Sequence, residues 1–193
     1  MTLKEKAIDK QIFKLAIPAI AEMLLHTLVW TVDTAMVGRL TPADMSGVNL
    51  GASIMFTMAH IIGAIGVGAT ALIARNIGAK DIERAEYISG LSLSLGAIIA
   101  FIIGILGIIS SKTIFLTIVK DQMVIDIGTQ YTRIVFIGLF FLIPQMITTS
   151  VLRAAGNAVV PMLAALVANT FNIVGDYVLI FGKFGFPALG AKG

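Results

Sequence analysis

The sequence predicts an all-α fold, a polytopic membrane helix bundle with about five transmembrane helices. Of its 193 residues, 58% are hydrophobic and only 13% are charged, whereas soluble domains average about 25% charged residues. The mean hydropathy is +0.96. The apolar runs come close to or exceed the roughly 20 residues that a spanning helix needs. Their length without alternation favours helices over the strands of a membrane barrel.

The predicted spans follow one another with short polar connections between them. They cover residues 15–37, 48–74, 87–109, 134–152 and 159–181. Proline, glycine and charged residues predict loops or short surface helices at 39–47 and 75–87. The mixed sequence of residues 110–126 predicts a segment at the membrane interface. Gly156 and Asn157 predict the turn before the fifth helix, which Pro161 is expected to start.

Composition divides the chain into three regions. Residues 1–14 form an amphipathic N-terminal lead, in which Ile8, Ile12 and Phe13 can lie on the membrane while lysines face anionic headgroups. Residues 15–182 form the transmembrane bundle. Residues 183–193 read as a loop that leads to a sixth helix missing from the sequence. The first run is too long for a signal-peptide core, so we expect a retained first helix.

The basic residues indicate membrane topology and not a nucleic-acid partner. The net charge is +3, but the lysines and arginines lie in short loops beside the apolar runs. With the N-terminus in the cytoplasm, the inside segments carry eight basic residues and the outside segments five. The positive-inside rule therefore predicts an integral plasma (inner) membrane protein with a cytoplasmic N-terminus. The chain has no cysteine, which excludes disulfides and thiolate metal sites.

Polar residues share faces of the predicted membrane helices. In the fifth helix, Asn169, Asn172 and Asp176 lie three and seven residues apart on one face. The first helix carries a similar polar stripe, formed by Glu22, His26 and Asp33, which lie at offsets of four and eleven residues. In the fourth helix, Gln145 follows Pro144. Such groups either cross-link helices by hydrogen bonds or line a functional site.

The aspartates are the strongest functional candidates. An aspartate at the centre of a membrane helix costs about 2.5 to 3.5 kcal/mol, so it must be protonated, paired or ion-bound. No lysine or arginine falls deep in any of the runs. Asp33 and Asp176 are therefore predicted to handle an ion or a proton, the alternative being structural hydrogen-bonded acids. Asn172 adds a carbonyl oxygen that suits a hard monovalent cation, although a proton site fits equally well.

The predicted site is thus Asp33, Asn172 and Asp176, which would bind Na⁺ or H⁺. Four further polar residues are candidates for accessory roles. They are Glu22, His26, Asn169 and Gln145. We expect no other metal and no organic cofactor.

Four stretches together resemble the N-terminal part of transporters of the multidrug and toxin extrusion (MATE) family. They are LAIPAIAEMLLHTLVWTVDTAMVGRL, GVGATALIARNIGAKD, SVLRAAGNAVVPM and NIVGDYVLIFGKFGFPALGAKG. Members of that family have two six-helix lobes and export organic, often cationic, compounds in exchange for Na⁺ or H⁺. The resemblance implies that this chain is most of one N-terminal lobe, and that its partners are membrane lipid and small organic substrates.

The resemblance also carries a cation site over to this chain. In the family, an aspartate of the first helix acts with an asparagine and an aspartate of the fifth, and Asp33, Asn172 and Asp176 match those positions. The family's sixth helix supplies a further hydroxyl ligand. The chain is therefore expected to require the missing sixth helix and the C-terminal lobe, and to be incompetent for transport alone.

Other classes fit the sequence less well. An intramembrane aspartyl protease would have YD and GxGD motifs, which are absent, and the common catalytic templates are absent too, so we expect no enzyme. A flippase for lipid-linked oligosaccharides would need buried arginine or lysine for its pyrophosphate. A structural membrane subunit would be unaffected by neutralising Asp33 or Asp176.

Overall fold

The computed structural model describes the backbone of residues 3–192 and the side chains of residue 9 and residues 12–191. Within this part the chain forms long helices, a short 3-10 turn (Gly190–Lys192) and no strand. The helices are α1 (Leu3–Val37), α2 (Pro42–Gly78), α3 (Ile82–Ile118), α4 (Gln122–Ala154) and α5 (Val159–Phe181). All five are long and apolar enough to cross a membrane. The predicted all-α polytopic bundle is confirmed.

The first four helices are longer than their predicted spans, and the connections between them are correspondingly shorter. The prediction of a separate segment at residues 110–126 is wrong, because α3 continues to Ile118 and α4 begins at Gln122. The location of these residues at the membrane interface stays a prediction. At about 1.5 Å per residue, the 37 residues of α3 extend well beyond a hydrocarbon core of about 30 Å. Polar residues near the helix ends can therefore reach water without leaving the helix.

Capping residues explain where α2 begins. The Thr41 hydroxyl accepts a hydrogen bond from the Asp44 backbone N–H at 3.2 Å, and the Asp44 carboxylate accepts one from the Thr41 N–H at 3.1 Å. This reciprocal capping box, with Pro42 in the first turn, starts the helix inside the segment predicted as a loop. Asp81 and Asp121 cap α3 and α4 in the same way, each accepting from a backbone N–H.

Both terminal regions join neighbouring elements. The N-terminal lead predicted for residues 1–14 is continuous with α1 from Leu3. Ile12 and Phe13 are exposed, the side chain of Ile8 lies outside the described residues, and contact with the membrane surface stays a prediction. At the other end, the Leu189 N–H donates to the Leu179 carbonyl at 2.8 Å. The predicted loop thus folds back onto α5.

The helices form two groups that pack internally more than against each other. Helices α2, α3 and α4 form a three-helix group, and α1 lies along α5 as a helix pair. Because every connection is short, consecutive helices are antiparallel, so α1 and α5 run in the same direction. The core of the three-helix group consists of Ile62, Ala100, Phe136, Leu139, Ile143 and Ile147.

Small residues let α3 and α4 approach closely. A Cβ atom added at Gly128 would overlap the ring of Phe115, and one added at Gly107 would overlap the ring of Phe136. Lipid tails give apolar helices little reason to associate, so close packing at small residues supplies much of the attraction in membranes. The aromatic rings seated on these glycines therefore fix how α3 lies on α4.

Replacing Gly128 by alanine should destabilise the fold by about 1 to 3 kcal/mol, because the rigid Phe115 ring must move. The matched control is Gly138→Ala in the same helix, where an added Cβ meets nothing within 4 Å. Thermal unfolding of the purified protein, followed by size-exclusion chromatography after heating, measures the difference. Equal stability of the two variants would contradict this packing.

Candidate cation site

A cavity of about 360 Å³ lies between the helix pair and the three-helix group. Helices α1, α2, α4 and α5 all contribute to it, and Ala191 of the 3-10 turn closes part of its wall. Its polar and aromatic lining consists of Trp30, Asp33, Thr34, Asn49, Phe56, Tyr131, Asn172 and Asp176. The three predicted site residues thus meet in one cavity.

Two carboxyl groups face each other there. The side chains of Asp33 and Asp176 are neighbours that can share a hydrogen bond when one of them is protonated, and both residues are half-buried. Asp33 Oδ1 is buried and has no hydrogen-bond partner among the described residues. Two carboxylates this close repel, so the pair is stable only with a shared proton or a bound cation.

Local structure explains why these side chains meet. Asp33 lies in the last turns of α1, and Asp176 lies in the second half of the parallel helix α5. Asn172, one turn before Asp176, is exposed and lines the same cavity. Two carboxylates and an amide carbonyl form an all-oxygen set, which is the ligand type that hard cations prefer.

Tyr131 of α4 is a cavity residue that the sequence reasoning missed. It lines the cavity opposite the helix pair, and its phenol can both donate and accept hydrogen bonds. A Cβ atom added at Gly51 of α2 would come within 2.7 Å of the Tyr131 ring, so this glycine leaves room for the ring. Tyr131 precedes the predicted fourth span, which started at residue 134, and this boundary error hid it.

The four accessory candidates do not line this cavity. Asn169 is 9% exposed and its amide nitrogen has no hydrogen-bond partner among the described residues. Gln145 is exposed on α4. Glu22 and His26 lie further toward the start of α1, and His26 Nε2 is 4.0 Å from Glu22 Oε1. No group of three or more His, Cys, Asp and Glu side chains among the described residues could hold a metal ion.

Glu22 has a basic partner that the sequence analysis did not foresee. Arg153 Nη2 lies 2.7 Å from Glu22 Oε2, and Glu22 is only 5% exposed. Arg153 belongs to the last turn of α4, at the edge of a predicted span, where it was assigned to a loop. The statement that no lysine or arginine falls deep in a predicted span still holds, because Arg153 reaches Glu22 from the end of α4.

Comparison with known proteins identifies the family. The MatE family model matches residues 18–178, so the chain belongs to the MatE family. This confirms the resemblance. Members of this family are membrane transporters and not enzymes, which fits the expectation that the chain is no enzyme.

Individual relatives agree with this assignment. The chain is 31% identical over 186 residues to the "Probable multidrug resistance protein NorM" of Thermotoga maritima, covering 96% of this chain and 40% of that protein. It is 27% identical over 184 residues to the protein of the same name from Bacillus subtilis, covering 95% and 41%. The chain therefore spans about 40% of the length of these relatives.

Solved structures share the fold. One is described as the outward-facing conformation of a multidrug resistance MATE family transporter of the MOP superfamily, with a TM-score of 0.87 and 29% identity. Another is described as a MOP superfamily transporter from Pyrococcus furiosus with reverse polarity of its binding pocket, also at a TM-score of 0.87 and 29% identity. Each match covers 95% of this chain and 40% of the other.

Asp176→Asn should stabilise the protein in Na⁺-free buffer at pH 8. The amide removes one of two facing charges and can donate a hydrogen bond to Asp33, which is worth about 1.5 to 3 kcal/mol for a charged acceptor. Na⁺ should stabilise the wild type but not the variant. Thermal unfolding with and without NaCl measures both effects.

The matched control is Asp126→Asn, which neutralises an exposed aspartate of α4 outside the cavity. It should retain the response of the wild type to Na⁺. An Asp176→Asn protein that is less stable than the wild type, and equally responsive to Na⁺, would contradict the facing-carboxylate geometry.

Proposed function

We propose that this chain is part of a secondary active multidrug efflux transporter, in which Asp33, Asn172 and Asp176 bind the coupling ion. Na⁺ or H⁺ is exchanged for an organic, often cationic, compound. The observation that carries the proposal is the pair of facing carboxyl groups in the cavity of a MatE family chain. Because two neighbouring carboxylates repel each other, they favour binding of a proton or a small cation.

Exchange requires that ion and substrate act on one conformational equilibrium. A cation that neutralises the two acids stabilises the arrangement in which α1 and α5 hold them together, and a substrate that favours another arrangement is released when the ion binds. Alternating access of this kind uses two halves that rock about a site near the membrane midplane. We therefore propose that transport requires a sixth helix and a C-terminal lobe, and that this chain alone does not transport.

The cavity chemistry favours an organic cation over an anionic lipid. Trp30 and Phe56 pack edge to face with ring centroids 5.8 Å apart, and both line the cavity beside the acids. Aromatic faces and carboxylates both attract cations. Among the described residues that line it, none is lysine or arginine, which a flippase for pyrophosphate-linked lipids would need.

The proposed setting is the plasma (inner) membrane, with the N-terminus in the cytoplasm and lipid around the helices. The basic residues support this orientation, since more of them lie in the segments assigned to the cytoplasm. Ile17, Met23, Leu24 and Leu28 of α1 are more than half exposed, as expected for side chains that meet acyl chains or another lobe. Ion and substrate are the proposed small-molecule partners, without an organic cofactor.

Efflux from membrane vesicles that carry the complete reading frame tests this function. Asp33→Asn and Asp176→Asn should each reduce ion-driven efflux of a fluorescent organic cation, such as ethidium, by about tenfold or more, within the usual range of coupling energies. Imposing a Na⁺ gradient and a pH gradient separately identifies the coupling ion. Asp126→Asn serves as the control and should transport like the wild type.

Unchanged coupled efflux in both cavity variants would defeat the proposed cation site. That result would favour the alternative of a structural role for the two aspartates.

A further inference from the structure

The Glu22–Arg153 contact joins the two helix groups of the lobe. Glu22 belongs to α1 of the helix pair, and Arg153 belongs to α4 of the three-helix group. Within the described part of the chain, it is the one ion pair that links the two groups. Contacts between α1 and helices other than α5 are sparse. Few other interactions therefore fix the position of α1 against the three-helix group.

Burial makes the contact difficult to break. The Glu22 side chain is 6% exposed, whereas that of Arg153 is 39% exposed. A buried carboxylate that loses its cation is strongly unfavourable, while a partly exposed guanidinium can turn toward water or headgroups. Glu22 Oε2 and Arg153 Nε are both buried and make no hydrogen bond of good geometry among the described residues. The 2.7 Å contact of Glu22 Oε2 with Arg153 Nη2 is therefore a close charge pair, and it is the polar contact that holds the Arg153 side chain.

The Glu22–Arg153 ion pair lies on the same face of α1 as the candidate cation site. Glu22 and Asp33 are eleven residues apart, which is about 16 Å along the helix and within about 20° of the same face. Apolar helix surfaces do not specify rotation or register strongly in lipid. The Glu22–Arg153 contact therefore fixes the position of α1 against α4, whereas the neighbouring Asp33 and Asp176 side chains concern only how α1 lies along α5.

We infer that the Glu22–Arg153 ion pair is a positioning contact, which holds the α1–α5 pair against α4 and keeps Asp33 and Asp176 facing the α2 and α4 wall of the cavity. The inference deepens the proposed cation site and rests on the proposed function for its role in transport. Glu22 does not touch the ion. It sets the position of the helix that carries an ion ligand.

The single tryptophan provides a built-in reporter of this position. Trp30 is the only tryptophan in the chain, it lies two turns after Glu22, and it packs on Phe56 of α2 across the boundary between the two groups. If α1 shifts away from the three-helix group, the indole loses this contact. Its emission should then move to longer wavelength, and acrylamide should quench it more strongly.

The experiment compares variants of the protein encoded by the complete reading frame, in phosphatidylcholine nanodiscs, with any tryptophan beyond residue 193 replaced by phenylalanine. Glu22→Gln and Arg153→Gln should both shift the Trp30 emission to the red and increase quenching, with the larger change for Arg153→Gln because it leaves a buried carboxylate without a cation. The reversed pair, Glu22→Arg with Arg153→Glu, should return both signals toward the wild type. Glu86→Gln, an exposed glutamate of α3, is the control and should change neither.

Wild-type signals in Glu22→Gln and Arg153→Gln would overturn the inference. A disturbed Trp30 that the reversed pair does not restore would overturn it as well, because the loss would then reflect general misfolding. The measurement uses no ion and no substrate. It therefore stands apart from the efflux test, and failure of the proposed function and failure of the positioning contact can be told apart.

Discussion

A carboxylate inside a bilayer has no water to solvate it, and the arrangement of this lobe follows from how its acids meet that requirement. Glu22 obtains a guanidinium from the same chain, so its charge is neutralised internally. Asp33 obtains only a second carboxyl group, that of Asp176, so the pair still needs a positive charge from outside. In the proposed function, the same helix thus carries one acid with a structural partner, Glu22, and one acid, Asp33, that binds an exchangeable ion.

The packing supports this division. Helices α2, α3 and α4 are fixed by aromatic rings seated on glycines, as with Phe115 on Gly128, whereas α1 lies mostly against α5 and leaves much of its surface exposed. The three-helix group is well packed, and the α1–α5 pair makes few contacts with it, which leaves a cavity between them. The helix pair can therefore shift without disrupting the core of the three-helix group. If Asp33 and Asp176 bind the ion as proposed, occupancy of the site is connected to the position of this helix pair.

Much of this could be predicted from sequence because it depends on local periodicity. Helical spacing alone placed Asn172 and Asp176 on one face, and the cost of an intramembrane acid singled out Asp33 before any coordinates were known. The α5 boundaries, Val159 to Phe181, were predicted as observed because polar turn residues lie on both sides.

The missed features depend on contacts between distant segments or on what happens at helix ends. Arg153 became the partner of Glu22 only when the end of α4 was brought beside α1, and no periodicity within one helix reveals that. Polar residues between the third and fourth spans were interpreted as breaking the helices, although Asp121 caps α4 and the helices continue past the hydrocarbon core. The same error excluded Tyr131 from the predicted span and hence from the predicted site.

The central claim is that the Asp33 and Asp176 carboxyl groups share one small cation. Infrared difference spectroscopy of the protein in lipid, recorded while Na⁺ or H⁺ is exchanged for choline and with ¹³C-labelled aspartate to identify the bands, tests this most directly. The account predicts that the carboxyl bands of both aspartates change together, and that neutralising either residue removes the response of the other. Carboxyl bands that do not change when the ion is exchanged, or two aspartates that respond independently, would contradict the central claim.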